Sequence, residues 1–199
     1  MKRKLLIVLL GVGLLFSSCA KFPQIELDAA KAAVLDVKNG GADLYVPADY
    51  QALSDSMAKA SLLADAGKAK WFPSYKDANA ELVVVNKLVT EVNAKNETRK
   101  AELKAETSKL VLEVDSLVVA DKALLVKAPK GKDGKAVLDA INNDINVIVA
   151  TLEEVRVHLA KVELLEANSK IKAAKEKATT INAELVKATA KPVKHKHKK

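Results

Sequence analysis

A chain of 199 residues with 49% hydrophobic but only 4% aromatic side chains must build its core from aliphatics, and 29% charged residues interleaved with Ala, Leu and Val is the composition of long helices. Its 7 Gly, two of them in the first twenty residues, and 5 Pro are too few for the turns of an all-β fold, and its single Cys rules out a disulfide scaffold. The net charge of +8 belongs to the two ends: setting aside the three bases of residues 2–4 and the five lysines after Ala190 leaves 25 bases against 25 acids, so a nucleic-acid partner is not expected.

Lys2, Arg3 and Lys4 precede a twelve-residue apolar run from Leu5 to Phe16, followed by Ser17-Ser18-Cys19. The run is too short to span a bilayer, which takes about 20 apolar residues, and has the flanks of a secretory signal. Small residues directly before a cysteine resemble the lipobox of bacterial lipoproteins, with Phe16 where that family usually carries Leu. The resemblance implies cleavage between Ser18 and Cys19, a covalent lipid on Cys19 and acylation of its new amino group. Ala20 rather than Asp after Cys19 implies, by resemblance to the sorting rule of enteric bacteria, the outer membrane, facing the periplasm. Residues 1–18 read as the signal peptide and 19–24 as a tether.

A first helix is expected over 25–38, its stripe drawn from Ala29, Ala32, Ala33 and Val37 with Leu35 beside them, stopped by Asn39-Gly40-Gly41. A second starts at Pro47, with Asp49 in its first turn; Leu53, Met57, Ala60 and Ala64 form its stripe and Gly67 ends it. A third opens at Pro73-Ser74 and meets no Gly or Pro until Pro129, about 80 Å at 1.5 Å per residue. Leu82, Val89, Asn96, Leu103, Leu110, Leu117 and Leu124 recur every seven residues along it, supported by Val85, Val92 and Val114. A tight turn at 129–134 leads into a fourth helix over 135–190, with Leu138, Ile141, Ile145, Ile148, Leu152, Val155, Leu159 and Val162 in one stripe and Ala174, Ala178, Ile181, Leu185 and Ala188 in a shifted phase.

The expected fold is all-α: an elongated helical bundle over 25–190 in which two short N-terminal helices pack on a long antiparallel, coiled-coil-like hairpin. Leu110 and Leu117 are expected to be buried in its seam. Residues 93–98 should face 166–170, and Asn96 either sets register or marks where a four-helix body gives way to a two-helix arm. The topology places residues 22, 72 and 190 together and 132 remote from them. Trp71 and Phe72 then lie at the anchored end, where Trp71 suits a membrane interface and Phe72 caps the core.

Pro23, Ala29-Ala30, Ala32-Ala33, Gly41-Ala42 and Tyr45-Val46-Pro47-Ala48-Asp49 resemble the Ala-rich bacterial lipoprotein domains of the domain-of-unknown-function 4398 family, with Val46 in place of the usual Ala. The resemblance covers residues 19–100. It implies an envelope location and helices but no activity, because the family has none established. The peptidoglycan-binding domain that often follows in the family is replaced here by the long helices.

Residues 191–199 form a basic tail with Lys191, Lys194, Lys196, Lys198 and Lys199 and no acid. It reads as a disordered, solubilising end, and alternatively as a contact for anionic lipid headgroups or cell-wall polymers. His195 and His197 form a weak copper or nickel pair, and no other metal site is expected. His158, with Glu154 at i−4 and Val162 at i+4, reads as a rim residue. No catalytic constellation is found, so no enzyme is expected, and no cofactor beyond the lipid on Cys19. The terminal lysine also resembles that of the major lipoprotein of enteric bacteria, which joins peptidoglycan. The expected function is a non-enzymatic, membrane-anchored lipoprotein acting as a structural spacer or scaffold of the cell envelope. The alternative is a periplasmic adaptor whose helical arm docks a partner protein. Expected partners are the membrane through the lipid, and anionic lipid, peptidoglycan or an envelope protein; the oligomeric state is left open.

Overall fold

The computed structural model describes residues 21–129 and 134–190. Among them are six helices and no strand: α1 (Gln24–Asn39), α2 (Ala42–Tyr45), α3 (Pro47–Lys68), α4 (Lys76–Lys127), α5 (Gly134–Lys161) and α6 (Leu164–Ala190). The protein is an all-α helical bundle. It divides into two compact units, Met1–Thr98 and Arg99–Lys199, and α4 supplies residues to both.

In the first unit, α1 and the single turn of α2 pack on α3, and the first part of α4 completes the core with Ala78, Leu82, Val85 and Val92. The α3 stripe of Leu53, Met57, Ala60 and Ala64 is buried as expected, and Pro47 sits in the first turn. The α1 stripe is different. Leu27, Ala30 and Val37 are buried, while Ala29, Ala32 and Leu35 face solvent. Alanine offers too little apolar area to orient a helix, so the larger Leu27, Val34 and Val37 choose the face. Gly41 makes the turn after α1 with φ of 85°, a conformation that suits glycine.

Gly67 does not end α3, which continues to Lys68. It is a buried helical residue, and a Cβ there would overlap the carbonyl oxygen of Ser74. The missing side chain lets the chain pass close across the end of α3 on its way to α4. There Tyr75, not Phe72, enters the core: Tyr75 is buried and stacks edge-to-face on Phe22 at 5.5 Å between centroids. Trp71 and Phe72 are 92% and 82% exposed. Phe22 thus meets Tyr75 and Lys68, which flank residue 72 in the chain, and the expected cap role of Phe72 is not found.

The second unit corrects the long hairpin. The helix expected over 135–190 is two helices, and α6 folds back along α5. Ion pairs between Lys170 and Glu154 and between Lys177 and Asp144 set α5 and α6 antiparallel. Asn168 meets Thr107 and Asn182 meets Asp121, each pair 61 residues apart, so α6 runs parallel to α4. Arg156 reaches Asp115, consistent with the expected antiparallel approach of α4 and α5. The result is an up-down-up three-helix bundle. Its core joins Val111, Val114 and Val118 of α4 to the expected α5 stripe of Ile145, Ile148, Leu152 and Val155 and to Ile171, Ala174, Ala178, Ile181 and Leu185 of α6.

Leu110, Leu117 and Leu124 are only half-buried at the edge of this core. A strict seven-residue repeat drifts by about 20° per heptad on a straight helix, so the leucines that begin on the buried face at Leu103 slide to its flank. Counted from Leu103, the buried residues Thr107, Val111, Val114, Val118 and Asp121 advance by five steps over 18 residues, the 3.6-residue period of the helix, and hold the centre. The expected facing of 93–98 and 166–170 is also overturned. Asn96 donates from Nδ2 to the Gly40 carbonyl at 3.0 Å, at the end of α1, whereas Asn168 pairs with Thr107. Residues 130–133, within the expected turn, lie outside the described residues; on either side of them, the Pro129 carbonyl oxygen stands 3.1 Å from where a Gly134 Cβ would be. The 61-residue offset that pairs Asn168 with Thr107 and Asn182 with Asp121 carries the last turns of α6 alongside the end of α4, while the expected remoteness of residue 132 falls on a residue outside those described.

The reversal between α5 and α6 uses neither glycine nor proline. Val162 takes φ of 64°, the amide of Glu163 donates to the His158 carbonyl at 2.9 Å, and the amide of Val162 donates to the Leu159 carbonyl at 3.3 Å. This is the paired C-terminal hydrogen-bonding pattern of helices that ordinarily end in a left-handed glycine. A β-branched residue there is strained. Val162→Gly is expected to stabilise the second unit by about 0.5–1 kcal/mol, the left-handed penalty of ~1–2 kcal/mol less the entropy of glycine. Urea unfolding measures it, and a loss of stability would show that the valine side chain packs more than its 56% exposure implies.

Candidate functional site

The residues singled out for function, Ser18, Cys19, Lys191, Lys194, His195, Lys196, His197, Lys198 and Lys199, all lie outside the described residues. What the structure positions is the chain on either side of them. Lys21 and Phe22 lead into α1 where Phe22 meets Tyr75 and the Lys68 ammonium, which lies 5.6 Å from the Phe22 ring centroid. At the other terminus, Ala190 closes α6.

The densest polar cluster centres on the α5–α6 reversal. His158, near the end of α5, has Glu163 Oε2 2.6 Å from Nδ1 and Glu166 Oε1 3.5 Å from Nε2. Their ligand-type atoms all fall within 4.8 Å of one another, so these three could be considered for a metal. The geometry argues otherwise: the two carboxylates engage opposite ring nitrogens, and a single ion can meet only one of them. Lys170 adds a competing cation, 2.8 Å from Glu154 and 4.0 Å from Glu166. Its hydrogen bond and charge hold the Glu154 carboxyl below the usual range, and Glu154 in turn raises the Lys170 ammonium. The cluster clasps the turn. His158 is a rim residue, as expected, but its partners were not legible: on one continuous helix Glu163 would sit about 140° around the axis from it. The available signal was the two-residue step from Val162, the last member of the apolar stripe, to Leu164, which no helix face permits.

Among the described residues the buried polar side chains are Ser56, whose hydroxyl donates to Glu81 at 2.7 Å, and Asn96, Thr107, Asp121 and Asn168. Asn96 keeps its Oδ1 without a hydrogen-bond partner, Thr107 accepts from Asn168 at 3.0 Å, and Asp121 accepts from Asn182 at 2.7 Å while its Oδ2 has no partner. Burial pushes the Asp121 carboxyl up, against the smaller lowering effect of Asn182. On the surface, Arg156 spans Asp115 and Glu153, and Asp115 raises the guanidinium. A shallow groove of about 410 Å³ between α5 and α6 is lined by Asp144, Glu176, Lys177, Thr180 and Glu184. Lys177 is already bonded to Asp144, so the lining offers acids and a hydroxyl but no activated nucleophile or base pair. No helix among the described residues is long and apolar enough to cross a membrane. The chain matches no protein-family model, no curated protein and no solved structure.

Proposed function

We propose that the protein is a lipid-anchored, non-enzymatic component of the bacterial cell envelope that acts as a structural spacer or scaffold. The observation that carries this reading is the order of residues 2–19: three bases, an apolar run, and Ser17-Ser18 before the only cysteine of the chain. Several acyl chains on one residue hold a protein to a bilayer far more stably than a single chain does. Helical units closed by aliphatic cores, with charged faces paired across helices, suit a spacer, and the likeness to Ala-rich lipoprotein domains supports the same location. Ala20 favours the outer membrane, facing the periplasm. Cys19→Ala is expected to abolish incorporation of labelled palmitate and to leave the protein soluble or unprocessed. Label still entering that variant would overturn the reading.

A second reading, an adaptor that docks a partner helix, is favoured by one observation. Leu112, Val119 and Val126 recur every seven residues on α4 and are all exposed, the spacing at which one helix receives another. Crosslinked envelopes separate the two. A stoichiometric partner protein lost on Val119→Lys supports the adaptor, and recovery of muropeptide alone supports the spacer.

A further inference from the structure

We propose that the connection between α3 and α4 is a membrane-contacting tip, in which Trp71 and Phe72 enter the interfacial layer of an anionic bilayer and the surrounding lysines hold its headgroups. Adjacent aromatic side chains are seldom left this exposed, and the amphipathic indole ring is most at home where hydrocarbon meets headgroup. The residues from Lys68 to Lys76 include Lys68, Lys70 and Lys76 and no acid, with Asp65 and Asp77 falling just outside. All three lysines are exposed. A single sign of charge around a projecting aromatic pair matches a lipid surface better than a protein groove, where charges of both signs are the rule.

The connection is also held in place. The close passage of Ser74 and Tyr75 over Gly67, and the seating of Tyr75 on Phe22, fix both its ends while the two rings point outward. Ile25, exposed on the first turn of α1, adds apolar surface near Phe22. The proposal does not depend on lipidation, but it fits the anchored reading closely. Residues 20 and 21 alone separate Cys19 from Phe22, a reach of about 10 Å at full extension, so an acyl chain on Cys19 and the aromatic pair would meet the same face of one bilayer.

Trp71 is the only tryptophan, so its fluorescence reports this position whatever else on the chain binds. The full-length chain is mixed with vesicles of phosphatidylglycerol and phosphatidylcholine, and separately with phosphatidylcholine alone. The expected result is a blue-shifted emission with the anionic vesicles, quenched more by lipids brominated near the headgroup than by lipids brominated deep in the chains. Lys70→Gln/Lys76→Gln should weaken the lipid concentration dependence by about 25-fold, near fivefold per lysine, and Phe72→Ser should reduce the shift. Three results would overturn the proposal. One is an unshifted emission while sedimentation shows the protein on the vesicles. Another is equal behaviour with both lipids and no effect of the lysine changes. The third is a blue shift that grows with protein concentration in the absence of lipid, which would assign the tip to a second copy. None of these touches palmitate labelling at Cys19, so failure here is distinct from failure of the anchored reading.

Discussion

Leu152→Ala is expected to lower the unfolding free energy of the second unit by about 3–4 kcal/mol. Leu152 is 2% exposed in a core shared with Val114 of α4 and Ile171 of α6, so truncation removes apolar area and leaves a cavity that three closely packed helices cannot easily collapse. Leu110→Ala and Leu117→Ala are the informative comparison. Both leucines lie at the edge of that core, where water and neighbouring side chains fill part of the lost volume, and each should cost only about 1–2 kcal/mol. Urea unfolding followed by circular dichroism measures all three, with the two units fitted as separate transitions where the curves require it. A Leu117→Ala penalty equal to that of Leu152→Ala would restore the two-helix seam and overturn the three-helix arrangement.

Asp121→Asn is expected to raise stability at pH 7 by about 2 kcal/mol, because it removes a buried negative charge and keeps a side chain that can accept from Asn182. The effect should depend on pH in a defined direction. Burial raises the folded carboxyl above its ordinary value, so between the two values the native state binds more protons than the unfolded chain. The wild-type protein accordingly loses stability as pH rises through that window, and is relieved of the penalty as pH falls toward the unfolded value of about 3.9. The advantage of the Asn variant should be full near neutrality and shrink on acidification. Unfolding at pH 7 and at pH 4 tests this. An advantage that is the same at both, or a loss at pH 7, would show that Asp121 is not a charge buried at a cost.

Helix class, the two N-terminal helices and the α5 stripe were legible in the residues because large aliphatics at spacings of three and four leave little choice of face. Where the marker was alanine, as at Ala29 and Ala32, the face was misread, since methyl groups do not outweigh a neighbouring Leu27 or Val34. The larger miss was the reversal at Val162. Helix ends are usually announced by glycine or proline, and this one is closed by backbone hydrogen bonds around a strained valine and by His158 between two glutamates. A change of phase without a breaker was therefore read as a change of neighbour rather than a change of direction. The same error hid the polar cluster, whose members come together only once the chain has turned. The partner of Tyr75 was equally out of reach, because the contact depends on a backbone passing over Gly67, and proximity of that kind leaves no periodic trace.

The reversal also changes how the second unit can assemble. In a hairpin running to residue 190, the last turns would have to find partners more than a hundred residues away. In the bundle, the polar side-chain contacts of α6 with the other two helices join residues 8 to 66 positions apart. Closing a shorter loop costs less chain entropy, and helical domains built from such local contacts fold in microseconds to milliseconds. A chain that crossed a membrane unfolded could then order this unit soon after it emerged, with apolar segments such as Ile145–Leu152 open to aggregation only briefly.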